Sequence, residues 1–316
     1  MNMIGMGKWF GLAACVLVAT SGCGDEAPPQ GRIVFAATAM GETHSDLYAM
    51  DEDGTHLERL TNTPSESEQF PRWSPDRSRI AYMRGGSLMV SNRNGEDVHV
   101  VTTTVGRNGT GITAPAWSPD GTKLVYSYPR PPFNIDNGQG DGIIDESYRT
   151  NLHVIHADGT GDAAIPEPED GGAPPGIGTL TEPAWSSTGV IAFLQSDDCP
   201  DCAGGSSIGT IREDGSNYVR IGSGEFDRPA HDLDWSPTAS HWAYTTLNPR
   251  DGRIAVSLAD GSGAHTLTAV SSKVPRWSPD GSQLAFIGSD GIYVMNADGS
   301  GQHRVYASTA LSGIDW

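Results

Sequence analysis

The chain has 316 residues, with 40 Gly, 21 Pro, a formal net charge of −19 and three lysines, Lys8, Lys123 and Lys273. Gly and Pro together approach a fifth of the residues, against roughly 12% in average proteins, so the chain reads as many short strands joined by turns. The acidic balance excludes non-specific binding to nucleic acid or to an anionic membrane surface, both of which need a basic face, and the single long apolar run lies at the extreme N-terminus.

In chain order, the first element is an address. Residues 1–22 carry one positive charge, Lys8, then an apolar stretch over 9–19, then Thr20, Ser21 and Gly22 directly before Cys23. A charged start, an apolar core and small residues form the pattern of a cleaved export signal. With a cysteine at the cut, the segment resembles a bacterial lipoprotein signal. That resemblance implies a lipid on Cys23, a polar, Pro-rich tether over 23–31, and contact with the membrane through the anchor only. It also implies a cell-envelope location, periplasmic or surface-exposed. Gly24 after the cysteine, in place of Asp, favours the outer membrane. An ordinary secretory signal cut nearby is the alternative.

The remainder, 32–316, is one unit repeated. Trp73, Trp117, Trp185, Trp235 and Trp277 are each followed by Ser, and Trp73, Trp117 and Trp277 by Ser-Pro-Asp; Trp316 ends the chain. A short apolar run follows each of the first five, such as Ile80-Ala81-Tyr82, Leu124-Val125-Tyr126 and Leu284-Ala285-Phe286, and Ile33-Val34-Phe35 is the same run without a preceding Trp. A second run follows, then a polar pair: Asp53-Gly54, Asn94-Gly95, Asp158-Gly159, Asp214-Gly215, Asp260-Gly261 and Asp298-Gly299. Such pairs supply the positive φ that tight hairpins need. A third run and the Trp segment itself complete four strands per repeat, the unit of a propeller blade. The chain opens on a second strand and finishes on a first strand, so the expected fold is all-β: a six-bladed β-propeller closed by pairing of the C-terminal strand with the first blade. The repeated Trp reads as packing between blades.

The Trp-Ser-Pro-Asp-Gly segment followed by the Ile292-Tyr293-Val294-Met295 run and Asp298-Gly299 resembles the repeat of TolB-type six-bladed propellers, most closely over 277–299. The resemblance covers 32–316 and implies the fold; propellers host many functions, so it does not carry a partner across.

Numbered outward from the channel, the first–second and third–fourth turns lie on one face of such a ring. They are short throughout. The long links, 38–46, 128–151, 167–181, 195–207 and 223–232, all belong to the other face, which is therefore the expected working face. One long link holds Asp136, Asn137, Asp141, Asp145 and Glu146, an oxygen-rich run resembling EF-hand-class loops, although Tyr148 stands where the bidentate Glu belongs. A site for Ca²⁺ and a solvated acidic loop are both open readings. Cys199 and Cys202 read as a redox pair, half a zinc site or a disulfide; with no second Cys pair and no strand-to-helix context, an oxidising compartment favours the disulfide.

No catalytic constellation stands out. Residues 205–209 fit G-x-S-x-G by letter but lead into a strand rather than a helix. Glu68, Arg72, Glu182, His231, Asp232, Lys273 and Arg276 precede the Trp strands and form a candidate polar rim at the channel mouth. The expected function is an anchored, monomeric envelope protein that binds a protein or cell-wall component through the long-loop face. A glycan- or peptide-processing enzyme using the channel mouth is the alternative.

Overall fold

The structure is a computed structural model and describes residues 31–103, 114–129, 133–135, 143–145, 150–166, 177–197, 206–221, 230–246 and 252–316. The signal, Cys23, Cys199, Cys202, Asp136, Asn137, Asp141 and Glu146 lie outside these residues. Asp145 ends a described backbone strand, Ile143–Asp145, which pairs with Phe133–Ile135 in a hairpin within the longest link.

Six four-stranded antiparallel sheets form the ring. Their innermost strands are Leu311–Asp315 in blade 1, Glu68–Trp73 in blade 2, Ala116–Trp117 in blade 3, Ile177–Trp185 in blade 4, Ala230–Trp235 in blade 5 and Ser272–Trp277 in blade 6. The second and third strands are apolar on both faces, because each sheet is covered by a neighbour on either side. In blade 2 both Arg79–Arg84 and Ser87–Asn92 are buried through their central four residues. Outermost strands are short and exposed, Glu58–Arg59 and His265–Thr266 among them, which leaves little free edge.

Six apolar clusters sit between adjacent blades. Blade 2 contributes Leu88 and Val90, and blade 3 Trp117, Leu124 and Tyr126, to one of them. The cluster that joins blade 6 to blade 1 holds Ala285 and Ile287 with Ile33, Phe35, Ile314 and Trp316. Ring closure is thus a packed interface as well as a ladder, in which Val34 opposes Asp315, Phe35 opposes Ile314 and Ala36 opposes Gly313. Burying an indole leaves its N–H in need of an acceptor. Trp316 donates to Gly31 O at 2.7 Å, Trp117 to Arg72 O at 3.0 Å and Trp235 to Ala184 O at 3.2 Å, each reaching back across a seam or to the chain's start.

One end of the ring is uniform for a local reason. In five third–fourth turns the Asp carboxylate accepts the N–H two residues on, at 2.9 Å, together with the hydroxyl of that Thr or Ser: Asp53 with Thr55, Asp158 with Thr160, Asp214 with Ser216, Asp260 with Ser262 and Asp298 with Ser300. These bonds hold each carboxyl below its ordinary range. Gly54 has φ +83°, and a Cβ there would fall 2.3 Å from Val305 O, so the turn tolerates no side chain. Deletion or insertion at this end breaks a fitted turn; at the other end the links vary freely in length.

Candidate functional site

The channel is lined by the innermost strands, and its chemistry is organised by position relative to each Trp. Directly before the Trp stand Asp315, Arg72, Ala116, Ala184, Asp234 and Arg276 in blades 1 to 6. Three residues before it stand Gly313, Phe70, Ala114, Glu182, Asp232 and Val274; four before it, Ser312, Gln69, Thr181, His231 and Lys273 among the described residues.

The lower ring is a neutral belt of two carboxylates and two guanidiniums. Asp315 accepts the Trp73 N–H at 2.7 Å, and Asp234 accepts the Trp277 N–H at 2.8 Å. In return Arg72 donates to Ile314 O and Arg276 to Asp232 O, both at 3.1 Å. Asp315 also lies 3.7 Å from Arg72 and 3.8 Å from Arg276. The same exchange therefore recurs across two seams, blade 1 to 2 and blade 5 to 6. Burial pushes the Asp234 carboxyl up to about 6 against the pull of Arg276, and burial together with the like charge of Arg276 brings Arg72 down to about 10.

The ring above it is strained. Phe70, Glu182, Asp232 and Val274 have φ between +52° and +58°, and Gly313 has φ +152°. At the first four the pairing register slips, and in blade 1 it slips at Ser312, directly beside Gly313, so each of these strands carries a bulge near the same height. A left-handed non-Gly residue costs about 1–3 kcal/mol and persists only where the surroundings over-determine it. The determinants are visible in blades 4 to 6. The Glu182 carboxylate accepts the Asp232 N–H, and the Asp232 carboxylate accepts the Val274 N–H at 3.2 Å, so each bulge is held by the side chain of the bulge before it. Thr245 Oγ1 donates to Asp232 at 3.0 Å and ties the same carboxylate to blade 5. In blades 6, 1 and 2 the same height carries no charge: Val274 packs against the cluster between blades 6 and 1, Gly313 is buried, and Phe70 is 37% exposed.

Of the rim residues expected from sequence, Glu182, His231 and Asp232 come together, and Arg276 reaches the Asp232 carbonyl from the belt beneath. His231 Nδ1 lies 3.0 Å from Glu182 Oε1, and this carboxylate raises the imidazole pKa. Arg72 sits lower, in the belt. Lys273 is exposed at the start of blade 6. Glu68 is not brought to the rim: it is fully buried against blade 1, where it accepts bonds from Thr61 and Thr63 Oγ1 and the Leu47 N–H and lies 3.7 Å from Arg84. The link entering blade 2 needs an internal acceptor, and burial raises the Glu68 pKa. Asp234 and Asp315 were missed, though each occupies the slot before Trp that Arg72 and Arg276 share.

The catalytic candidates resolve into structure. Ser207 lies in the blade 4 strand Ser206–Ile211 with its hydroxyl buried and unpartnered, and Gly209 is glycine because a Cβ would sit 2.4 Å from the Phe193 ring. Asp51, His56 and Thr55 form a triad by letter, but both partners meet the same Nδ1 on an exposed turn, so no proton relay results. No group of three His, Cys, Asp or Glu among the described residues is arranged to hold a metal.

No protein-family model matches the sequence, and no curated protein matches it. Solved structures match the fold. TolB from Acinetobacter baumannii superposes with TM-score 0.64 at 16% identity, over 90% of this chain and 66% of that one. A protein of Agrobacterium tumefaciens assigned to TolB gives 0.62 at 17%, over 89% and 90%. An oligogalacturonate lyase in complex with manganese gives 0.54 at 18%, over 87% and 78%. The chain is a six-bladed β-propeller of the architecture seen in TolB, and it spans about two thirds of the Acinetobacter protein.

Proposed function

We propose that this chain is a lipid-anchored envelope protein that binds a polypeptide partner at the mouth of its channel, under the long-link face. The carrying observation is the sidedness of the ring. One end is closed by near-identical Asp-Gly turns held by their own hydroxyls, whereas the other presents links of every length above a rim in which bulges are locked by Glu182 and Asp232. A rim with an acidic arc and the exposed Phe70 ring provides both charge and apolar contact to an extended segment. The likeness to TolB supports an envelope setting, and the likeness to a nidogen–laminin complex, with TM-score 0.62 at 12% identity over 90% of this chain, supports a binding role for the architecture.

The test replaces 130–149 and 198–205 by short Gly-Ser turns and compares capture from solubilised envelopes with that by the parent protein. Loss of the captured partner with an unchanged melting temperature in calcium-free buffer is expected. Retention of the full set contradicts the assignment of the working face. Mass spectrometry of the N-terminal peptide tests the lipid on Cys23, and a Cys23→Ser variant that remains in the membrane fraction contradicts it. In this reading Cys199 and Cys202 form a disulfide that stiffens one link, and Asp136, Asn137, Asp141, Asp145 and Glu146 hold calcium in another. The lyase likeness motivates a second reading, cleavage of a glycan at the Glu182–His231–Asp232 cluster; loss of glycan turnover in His231→Ala is its test.

A further inference from the structure

Between the first strands of blades 6 and 1, at the long-link end, lies a cleft of about 280 Å³. Ile287 and Leu311 form its apolar floor, and Lys273, Ser289, Ser308 and Thr309 supply its polar wall. Three facts give this cleft a chemistry. First, Lys273 is one of three lysines in a chain of net charge −19, and no carboxylate among the described residues lies within ion-pair distance of it. By contrast Lys123 is 3.1 Å from Glu213. Second, the hydroxyls of Ser289 and Thr309 have no hydrogen-bond partner among the described residues, and Ser308 Oγ accepts the Ala310 N–H at 3.2 Å, which leaves its own proton to donate outward. Third, the backbone around it is packed and hydrogen-bonded. The blade 6 hairpin at its back is closely packed: a Cβ on Gly291 would fall 1.9 Å from Tyr306 O and one on Gly288 2.8 Å from the Tyr293 ring. The Val274 N–H, bonded to the Asp232 carboxylate at 3.2 Å and to Thr245 Oγ1 at 3.1 Å, holds the backbone beside Lys273.

We propose that this cleft is a carboxylate subsite, in which the Lys273 ammonium and two or three hydroxyl donors hold one carboxylate group of the partner. The proposal rests on the reading of the mouth as the binding end and names the group recognised there. A single compact cation with neutral hydroxyl donors matches a monoanion. A phosphate dianion asks for more positive charge or an Arg fork, and neither lines the cleft. The volume sits just below the usual range of small-molecule pockets, which suits one residue-sized group. Asp232, bonded to the Val274 N–H next to Lys273, adds negative charge nearby, which disfavours a polyanion more than a single carboxylate supplied by an acidic side chain or by a chain terminus.

With so few lysines, ¹³C-lysine labelling reports the site directly, Lys273 being assigned by its absence in Lys273→Gln. The probes are N-acetylglycine, its amide, the side-chain mimic glutarate monoamide and inorganic phosphate. A saturable shift of the Lys273 signal with either carboxylate and none with the amide is expected; which carboxylate binds more tightly separates terminus from side chain. Losing the charge in Lys273→Gln weakens binding about tenfold or more, and Lys273→Arg stays within a few fold. An equal response to the amide, a response to phosphate alone, or no saturable shift overturns the proposal. None of these outcomes depends on partner capture, so a failed subsite and a failed working face are told apart.

Discussion

Removing the Asp315 carboxylate unpicks the seam at which the C-terminal strand closes the ring. It accepts the Trp73 N–H at 2.7 Å and faces Arg72 and Arg276 at 3.7 and 3.8 Å. In Asp315→Ala the Trp73 N–H loses a charge-assisted bond worth about 1.5–3 kcal/mol. Arg276, only 3% exposed, keeps Asp234 as its nearest remaining carboxylate of the belt. Fully stranding a buried charge costs about 3–5 kcal/mol, and because Asp234 remains and the two losses overlap, about 3 kcal/mol is expected. Asp315→Asn keeps an acceptor for Trp73 and loses the charge alone, so about half that cost is expected. Urea unfolding at pH 7, followed by tryptophan fluorescence, reads both, with the slope unchanged. A double variant with Arg276→Met recovers part of the loss, with a coupling of about 1 kcal/mol or more. A loss below about 1 kcal/mol in Asp315→Ala, or equal losses in the Ala and Asn variants, refutes the belt as the clasp of the ring.

Asp234 makes stability depend on pH in the unusual direction. Its folded pKa, about 6, lies above the ordinary 3.8, so the folded protein holds a proton that the unfolded chain releases. Lowering the pH from 7 through 6 toward 4 therefore favours the fold through this group, by up to about 3 kcal/mol. Unfolding of the parent and of Asp234→Asn at pH 7, 5.5 and 4.5 checks this; the parent must gain on the variant as pH falls, and a constant difference contradicts it. Gly209→Ala drives a methyl into the Phe193 ring and lowers stability by about 1–3 kcal/mol, whereas Ser207→Ala changes neither the melting temperature nor any activity. A hydrolytic activity lost in Ser207→Ala overturns the reading of that segment as a strand. Calcium at about 5 mM raises the melting temperature of chelator-treated protein, and Asp141→Asn with Asp145→Asn abolishes the rise; no rise in the parent removes the metal from the account.

The blade count and the closing strand are legible in the sequence because each rests on a local rule. The Trp segments recur, the Asp-Gly turns demand positive φ, and a terminal Trp matches a missing first strand. The belt was only half legible. Arg72 and Arg276 shared a slot, but Asp315 bonds a residue 242 positions away, and only the closed ring makes those neighbours. The bulges left no mark at all: Phe70 and Val274 are among the residues least suited to a left-handed φ, and they adopt it because the bulged innermost strands fix their backbone. Glu68 reads as a rim charge from its place before the Trp, yet two threonine hydroxyls in the preceding link draw it inward.

Site-specific photo-crosslinking in intact envelopes asks most directly whether the mouth is where the partner sits. A benzoylphenylalanine is placed at Gln69 or Thr181, beside the mouth, and at Thr188 or Ser300, in turns of the opposite end. Adducts to one discrete polypeptide from the first pair and none from the second are what the account predicts. Adducts from Thr188 or Ser300 alone would contradict it.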